Sequence, residues 1–161
     1  MTSSFDNKET QAHLLFMGLA LELARTAYSN DEVPVGAAIV LRRNSEVLAA
    51  FSNQMRELKS SIAHAEMLAI QKATNVLQNE RLVGCDMYVS LEPCPMCAHA
   101  ISIARVDRLF YAASDPKSGG VEHGPKVFES SSCHHKPEII SGIMSKESSL
   151  LLKNFFKPKR Q

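Results

Sequence analysis

Apolar positions recur at intervals of three and four residues from about residue 8 to 28, at Leu14, Met17, Leu21, Ala24 and Tyr28. That period predicts a helix with one buried face. Pro34 and Gly36 break it. Residues 37–53 then read as two β-rich runs around the polar turn 42–45, which predicts a hairpin. A second helix is expected over 64–78, with Met67, Ile70 and Leu77 on its inner face. From 86 to 92, Met87, Val89 and Leu91 alternate with Tyr88 and Ser90, the period of a strand, and Pro93 and Pro95 close it. A helical pattern resumes over 96–105, with Pro95 in the first turn, where its missing N–H is tolerated. A strand follows over 108–113. The order strand, helix, strand between 86 and 113 predicts a parallel crossover.

The segment 114–136 is polar and rich in Gly, Ser, Pro and His, with at most a short helix near Lys126–Ser130. A loop of that length in a compact domain is usually functional. A last strand is expected over 137–144, and a last helix from 146 that carries a basic tail to 160. No internal repeat or linker interrupts the pattern. The expected fold is therefore α/β: a three-layer αβα sandwich, one five-stranded mixed sheet with helices on both faces, in a single domain spanning 1–161.

Composition adds little to this. A chain of 161 residues, 45% apolar and 22% charged, has the makeup of one globular domain with a real core. No stretch approaches the roughly 20 apolar residues that span a bilayer. The first ten residues lack the layout of a secretion signal, so no membrane and a cytoplasmic location are expected. The formal charge of +1 hides a local imbalance. Lys153, Lys157, Lys159 and Arg160 share the C-terminal stretch with Phe155 and Phe156 and no acid. That stretch reads either as a solvated helix end or as a nucleic-acid contact.

The four cysteines, Cys85, Cys94, Cys97 and Cys133, do not form an evident disulfide framework. Cys94 and Cys97 make a C-x-x-C, a spacing that suits metal ligation or redox exchange. Context separates the two. Both thiols fall near a predicted helix N-terminus, whose partial positive charge favours thiolates. His64 begins another predicted helix. In α/β sheets the carboxyl ends of adjacent strands bring helix N-termini to one edge, and there His64, Cys94 and Cys97 can hold zinc tetrahedrally with one position left for water. Glu66 lies two residues from His64. A carboxylate beside such a water is suited to carrying protons, so His64 is expected to hold the metal and Glu66 to move protons.

"HAE" at 64–66 followed by "EPCPMC" at 92–97 resembles the signature of the zinc-dependent cytidine and purine deaminases. Further stretches resemble the bacterial tRNA-specific adenosine deaminases within that superfamily: "DEVPVGAAIV" (31–40), "MYVSLEPCPMC" (87–97), "DPKSGG" (115–120), "HHKPEIISGI" (134–143) and "LLKNFFKPKR" (151–160). The resemblance implies a cytidine deaminase-like fold, one zinc per subunit, a homodimer, and hydrolysis of adenosine to inosine at the wobble position of a tRNA anticodon with release of ammonia. An anticodon loop offers unpaired bases, so extrusion into a buried site is cheap. Carried over by position, Asn53 reads the base and Val35 and Ala65 line the pocket. Glu92, Pro93 and Cys94 supply backbone around the leaving group. Asp115 and Lys117 lie beside the nucleotide, and Phe156 and Arg160 contact RNA. Asn53 has the alternative of capping a turn.

The chain departs from the family pattern at two places. His134-His135 stands where "NH" is usual, so His134 replaces an amide contact with imidazole, and Ala112 stands where glycine often sits. Both fall at the expected RNA rim. Cys133, His134, His135 and His123 suggest a second metal site only superficially, since adjacent residues on an extended chain point apart. Cys85 reads as a buried small hydrophobe and His99 as a packed side chain. Two other readings share these residues: a deaminase of free nucleobases or nucleosides, and a structural zinc module that binds RNA. Glu66 argues against the module, and the basic-aromatic C-terminus against the free-base enzyme.

Overall fold

The computed structural model describes the backbone of residues 5–160 and the side chains of 7–159. Helix α1 (Phe5–Ser29) leads into a hairpin, β1 (Gly36–Leu41) and β2 (Glu46–Ser52). Then come α2 (Ala65–Leu77), β3 (Cys85–Leu91), α3 (Pro95–Ile103) and β4 (Arg108–Ala113). After a loop holding one 3₁₀ turn at Val127–Glu129 come β5 (Glu138–Ser141), α4 (Ser145–Phe156) and a terminal 3₁₀ turn over Lys157–Arg160. The five strands form one sheet in the order β2-β1-β3-β4-β5. β1 runs antiparallel to both β2 and β3, while β3, β4 and β5 are parallel. Among the described residues no helix is long and apolar enough to cross a membrane.

Alternation along the strands builds two cores. Ile39, Met87, Val89, Leu109 and Tyr111 point to the face covered by α2 and α3. Val40, Tyr88, Phe110 and Ala112 point to the opposite face, where Phe16, Met17 and Ala20 of α1 cover them, and α4 packs on β3 and β4. Because both faces of β3 are covered, Tyr88 and Ser90 are as buried as Met87 and Val89.

Two helix faces differ from the sequence reading. On α2 the buried positions are Ala65, Glu66, Ala69 and Ala73, while Ile70 and Leu77 pack at the edge of the core and Met67 is half-buried. Small side chains let the helix lie close on the sheet, so large apolar residues were the wrong marker of its inner face. On α1, Met17, Leu21 and Ala24 are buried as expected, but Leu14 and Tyr28 are exposed and Phe16, Ala20 and Ala27 take their places. Close approach recurs at Gly36, where a Cβ would collide with the α1 backbone at Ala20 and come within 2.8 Å of Ala24 N.

At the N-terminal edge of the parallel strands, the Asp86 carboxylate is buried between two guanidiniums. Arg108 donates to it at 2.9 and 2.6 Å and Arg42 at 2.9 to 3.3 Å. This network ties β1, β3 and β4 at the edge away from the site described next.

Candidate metal centre and its cleft

Since β2 and β3 are both antiparallel to the intervening β1, they point the same way and their C-terminal ends lie at one edge of the sheet. The strands that bring the helices together are thus not adjacent, as expected from sequence, but flank an antiparallel neighbour. α2 follows β2 and α3 follows β3, so both helix N-termini sit at that edge. His64 is the N-cap of α2 and Cys94 that of α3, both with extended backbone, and neither side chain caps its helix. Cys97 lies one turn further in. His64 Nδ1 is 3.7 Å from Cys94 Sγ and 3.5 Å from Cys97 Sγ, and the three ligand atoms all lie within 4.8 Å of one another.

These separations match the donor set. A tetrahedral zinc with Zn–N of about 2.0 Å and Zn–S of about 2.3 Å has N···S edges of about 3.5 Å. His64, Cys94 and Cys97 therefore fit zinc, and among the described residues no other such group of His, Cys, Asp or Glu occurs. The second-site candidates are used otherwise. Cys133 Sγ contacts Ser102 Oγ and the His135 carbonyl, and the His123 ring faces Glu92. Hydrogen bonds from Cys97 and from the His64 ring, working against burial, hold the Cys94 thiol down to about 4. Cys97 is pushed far up by its bond to Cys94 and by burial. Zinc binds the thiolate forms, so its binding would release protons from this pair.

Glu66 lies outside the ligand group. It is 4% exposed, and burial pushes its carboxyl up to about 7, the Cys94 thiolate adding to the effect. A carboxyl that exchanges its proton near neutrality is suited to general acid–base work.

Above the metal group opens a cleft of about 690 Å³ whose lining includes Val35, Asn53, His64, Glu66, Glu92, Cys94, Asp115, Lys117 and Phe156. It is built from the entry to β1 and the exits of β2, β3 and β4. Asn53 is 5% exposed. Its backbone N–H bonds the Val35 carbonyl, while its side-chain amide makes no hydrogen bond to the described residues and is left to face the cleft, which argues against a turn-capping role. Ala65 and Pro93 are buried behind the lining. Phe155 anchors α4 on Tyr28, which turns Phe156, 36% exposed, toward the cleft. The side chain of Arg160 lies outside the described residues.

His134 and His135 are placed elsewhere. They precede β5, at the opposite edge of the sheet, where the His135 ring bonds the Val106 carbonyl at 2.7 Å and the His134 carbonyl accepts from Arg105. Neither lines the cleft. The RNA contact that the family resemblance implies for them therefore falls outside this cleft, because the end of β5 that they precede is the one away from the ligand group. Met55, Ser149 and Leu152 also line the cleft, with no residue type that marks them in the sequence, and so does Lys159 of the basic C-terminal stretch. Lys159 sits over the Phe155 ring and pairs with Asp31.

Residues 10–113 match the family model of the cytidine and deoxycytidylate deaminase zinc-binding region. A tRNA-specific adenosine deaminase of Agrobacterium fabrum is 50% identical over 145 residues, 90% of this chain and 94% of that relative. A solved structure from a study of A-to-I editing by tRNA:A34 deaminases at the wobble position superposes with a TM-score of 0.82 at 50% identity, covering 85% of this chain and 98% of its own. The guanine deaminase of Nitrosomonas europaea superposes at 0.76 with 25% identity, covering 88% and 83%. With its ligand triad, its adjoining buried carboxyl and a match that runs through both motifs, this chain belongs to the zinc-binding cytidine and deoxycytidylate deaminase family.

Proposed function

We propose that the protein is a zinc-dependent hydrolase that converts adenosine to inosine at the wobble position of a tRNA anticodon and releases ammonia. The observation that carries the reading is one cleft holding the His64, Cys94 and Cys97 group, Glu66 and the aromatic-basic end of α4. Zinc held by the three ligands supplies acidification of water near neutral pH. Glu66 takes one proton of the attacking water as its oxygen adds to C6 of adenine and delivers it to the ring nitrogen, then takes the second proton from the new C6 hydroxyl and delivers it to the amine, which leaves as ammonia while the C6 carbonyl forms. Asn53 orients the base through its free amide. Lys117 and Lys159 neutralise phosphate at the rim, and Phe156 offers a stacking face to an unpaired base. We further expect a homodimer with one zinc per subunit, working in the cytoplasm.

A free-nucleobase deaminase is the second reading, favoured by the guanine deaminase likeness. Incubating the purified protein with total tRNA and with free adenosine, cytidine and guanine separates the two. Inosine in the anticodon, with ammonia released only from tRNA, is the expected result. Ammonia from guanine or cytidine alone would favour the second reading.

A further inference from the structure

We propose that Glu92 is a positioning residue whose buried carboxylate fixes the loop 115–123 over the metal-ligand turn and thereby sets how tightly the cleft holds RNA. The inference rests on the RNA reading above and gives Glu92 a different role from the backbone contact that the family resemblance implies. The Glu92 side chain is fully buried. Its Oε1 accepts from the Asp115 N–H at 3.1 Å and the His123 ring Nδ1 at 2.7 Å, and its Oε2 from the N–H groups of Val121, Glu122 and His123, each at 3.2 Å. Burial alone would raise this carboxyl. The opposing bonds outweigh it and hold the group below the usual range.

Five donors from 115–123 on one carboxylate close the loop around a side chain two residues from Cys94. The loop has no regular structure before Val127, so these bonds stand in for a ladder or helix. Two glycines make the approach feasible. A Cβ on Gly119 would collide with the Glu92 carboxylate, and one on Gly120 would lie 2.6 Å from Pro95 N and 2.8 Å from the Cys94 carbonyl carbon. Gly120 also donates to the Pro93 carbonyl at 2.8 Å. From the anchored Asp115 N–H a turn continues outward, because Asp115 Oδ1 accepts from the N–H groups of Lys117 and Ser118 at 3.2 and 3.0 Å. All three residues line the cleft. Through Glu92, the chain that carries a metal ligand also orients the side chains above it. The carboxylate itself has no part in the proton transfers, which belong to Glu66.

Glu92→Gln keeps the size but turns an NH₂ toward N–H donors. Bonds to a charged group are the stronger ones, so with the loop released KM for an anticodon stem-loop RNA is expected to rise about tenfold or more while kcat stays within about threefold. Zinc per chain should equal that of the unsubstituted protein, and amides 115–123 should lose hydrogen-exchange protection. His123→Gln withdraws the ring donor, disturbs folding less, and should raise KM by about threefold with kcat unchanged. A fall in kcat at unchanged KM, or loss of zinc from either variant, overturns the proposal. So does unchanged exchange across 115–123 in Glu92→Gln. Failure of the unsubstituted protein to act on RNA would instead overturn the functional reading, and the exchange measurement would still decide whether Glu92 holds the loop.

Discussion

Asp86→Asn keeps the shape of a buried carboxylate and removes its charge from between two guanidiniums. Its side chain is 3% exposed, Arg108 is 19% exposed and Arg42 is 43% exposed. Removing one partner of a fully buried ion pair costs about 3–5 kcal/mol. Arg42 is nearly half in water and keeps Asp107 at 3.0 Å, and Arg108 keeps the exposed Glu9 at 3.1 Å, so solvent screening lowers the expected loss to about 2–4 kcal/mol. For a domain of this size that is a fall in Tm of roughly 5–15 °C. Urea titration of the zinc-loaded protein should show a lower midpoint with an unchanged slope. The pH dependence has a definite sign. Although burial alone would raise it, bonds from Arg108 and Arg42 hold Asp86 below its ordinary value of 3.8. Its charge therefore stabilises the fold fully above that value, and the contribution is lost as pH falls through the lower, folded one. The stability gap between the two proteins should be constant from about pH 5 to 8 and shrink only in acid. A gap under about 1 kcal/mol, or one that widens as pH falls, would refute the assignment of this network as a principal tie of the sheet.

Three further outcomes are expected. Glu66→Gln should keep zinc and RNA affinity but lower kcat by about 10²–10⁴, measured as ammonia released per enzyme per second, and loss of zinc instead would place this carboxylate among the ligands. Phe156→Ala removes one stacking face at about 1–3 kcal/mol, so KM for the anticodon stem-loop should rise about fivefold to a hundredfold with kcat little changed. Adding zinc to metal-stripped protein in weak buffer should release protons from the Cys94 and Cys97 pair, readable with a pH indicator, and raise Tm. Cys97→Ala should abolish both signals.

Much of the fold was legible because period-two and period-3.6 patterns report burial directly. The hairpin, the crossover from β3 to β4 and the Pro95 helix start all fall where expected. The inner face of α2 was not, because Ala65, Ala69 and Ala73 act by being small, and a scan for large apolar residues passes over them. In the site, His64, Glu66, Cys94 and Cys97 announce themselves by residue type and spacing. Glu92 belongs to the motif at 92–97, yet the role of its carboxylate depends on five donors 23 to 31 positions away. Only the paired glycines at 119 and 120 hinted at it. His134 and His135 stand away from the cleft for a topological reason: strand direction decides which flanking residues reach the metal edge, and sequence pattern does not report direction for the last strand.

X-ray absorption at the zinc edge of the purified protein tests the central claim most directly. The account predicts two sulfur neighbours at about 2.3 Å and two nitrogen or oxygen neighbours at about 2.0 Å, with one sulfur lost in Cys94→Ser and in Cys97→Ser. A shell of three or four sulfurs, or a spectrum unchanged by both substitutions, would contradict a three-ligand centre built from His64, Cys94 and Cys97.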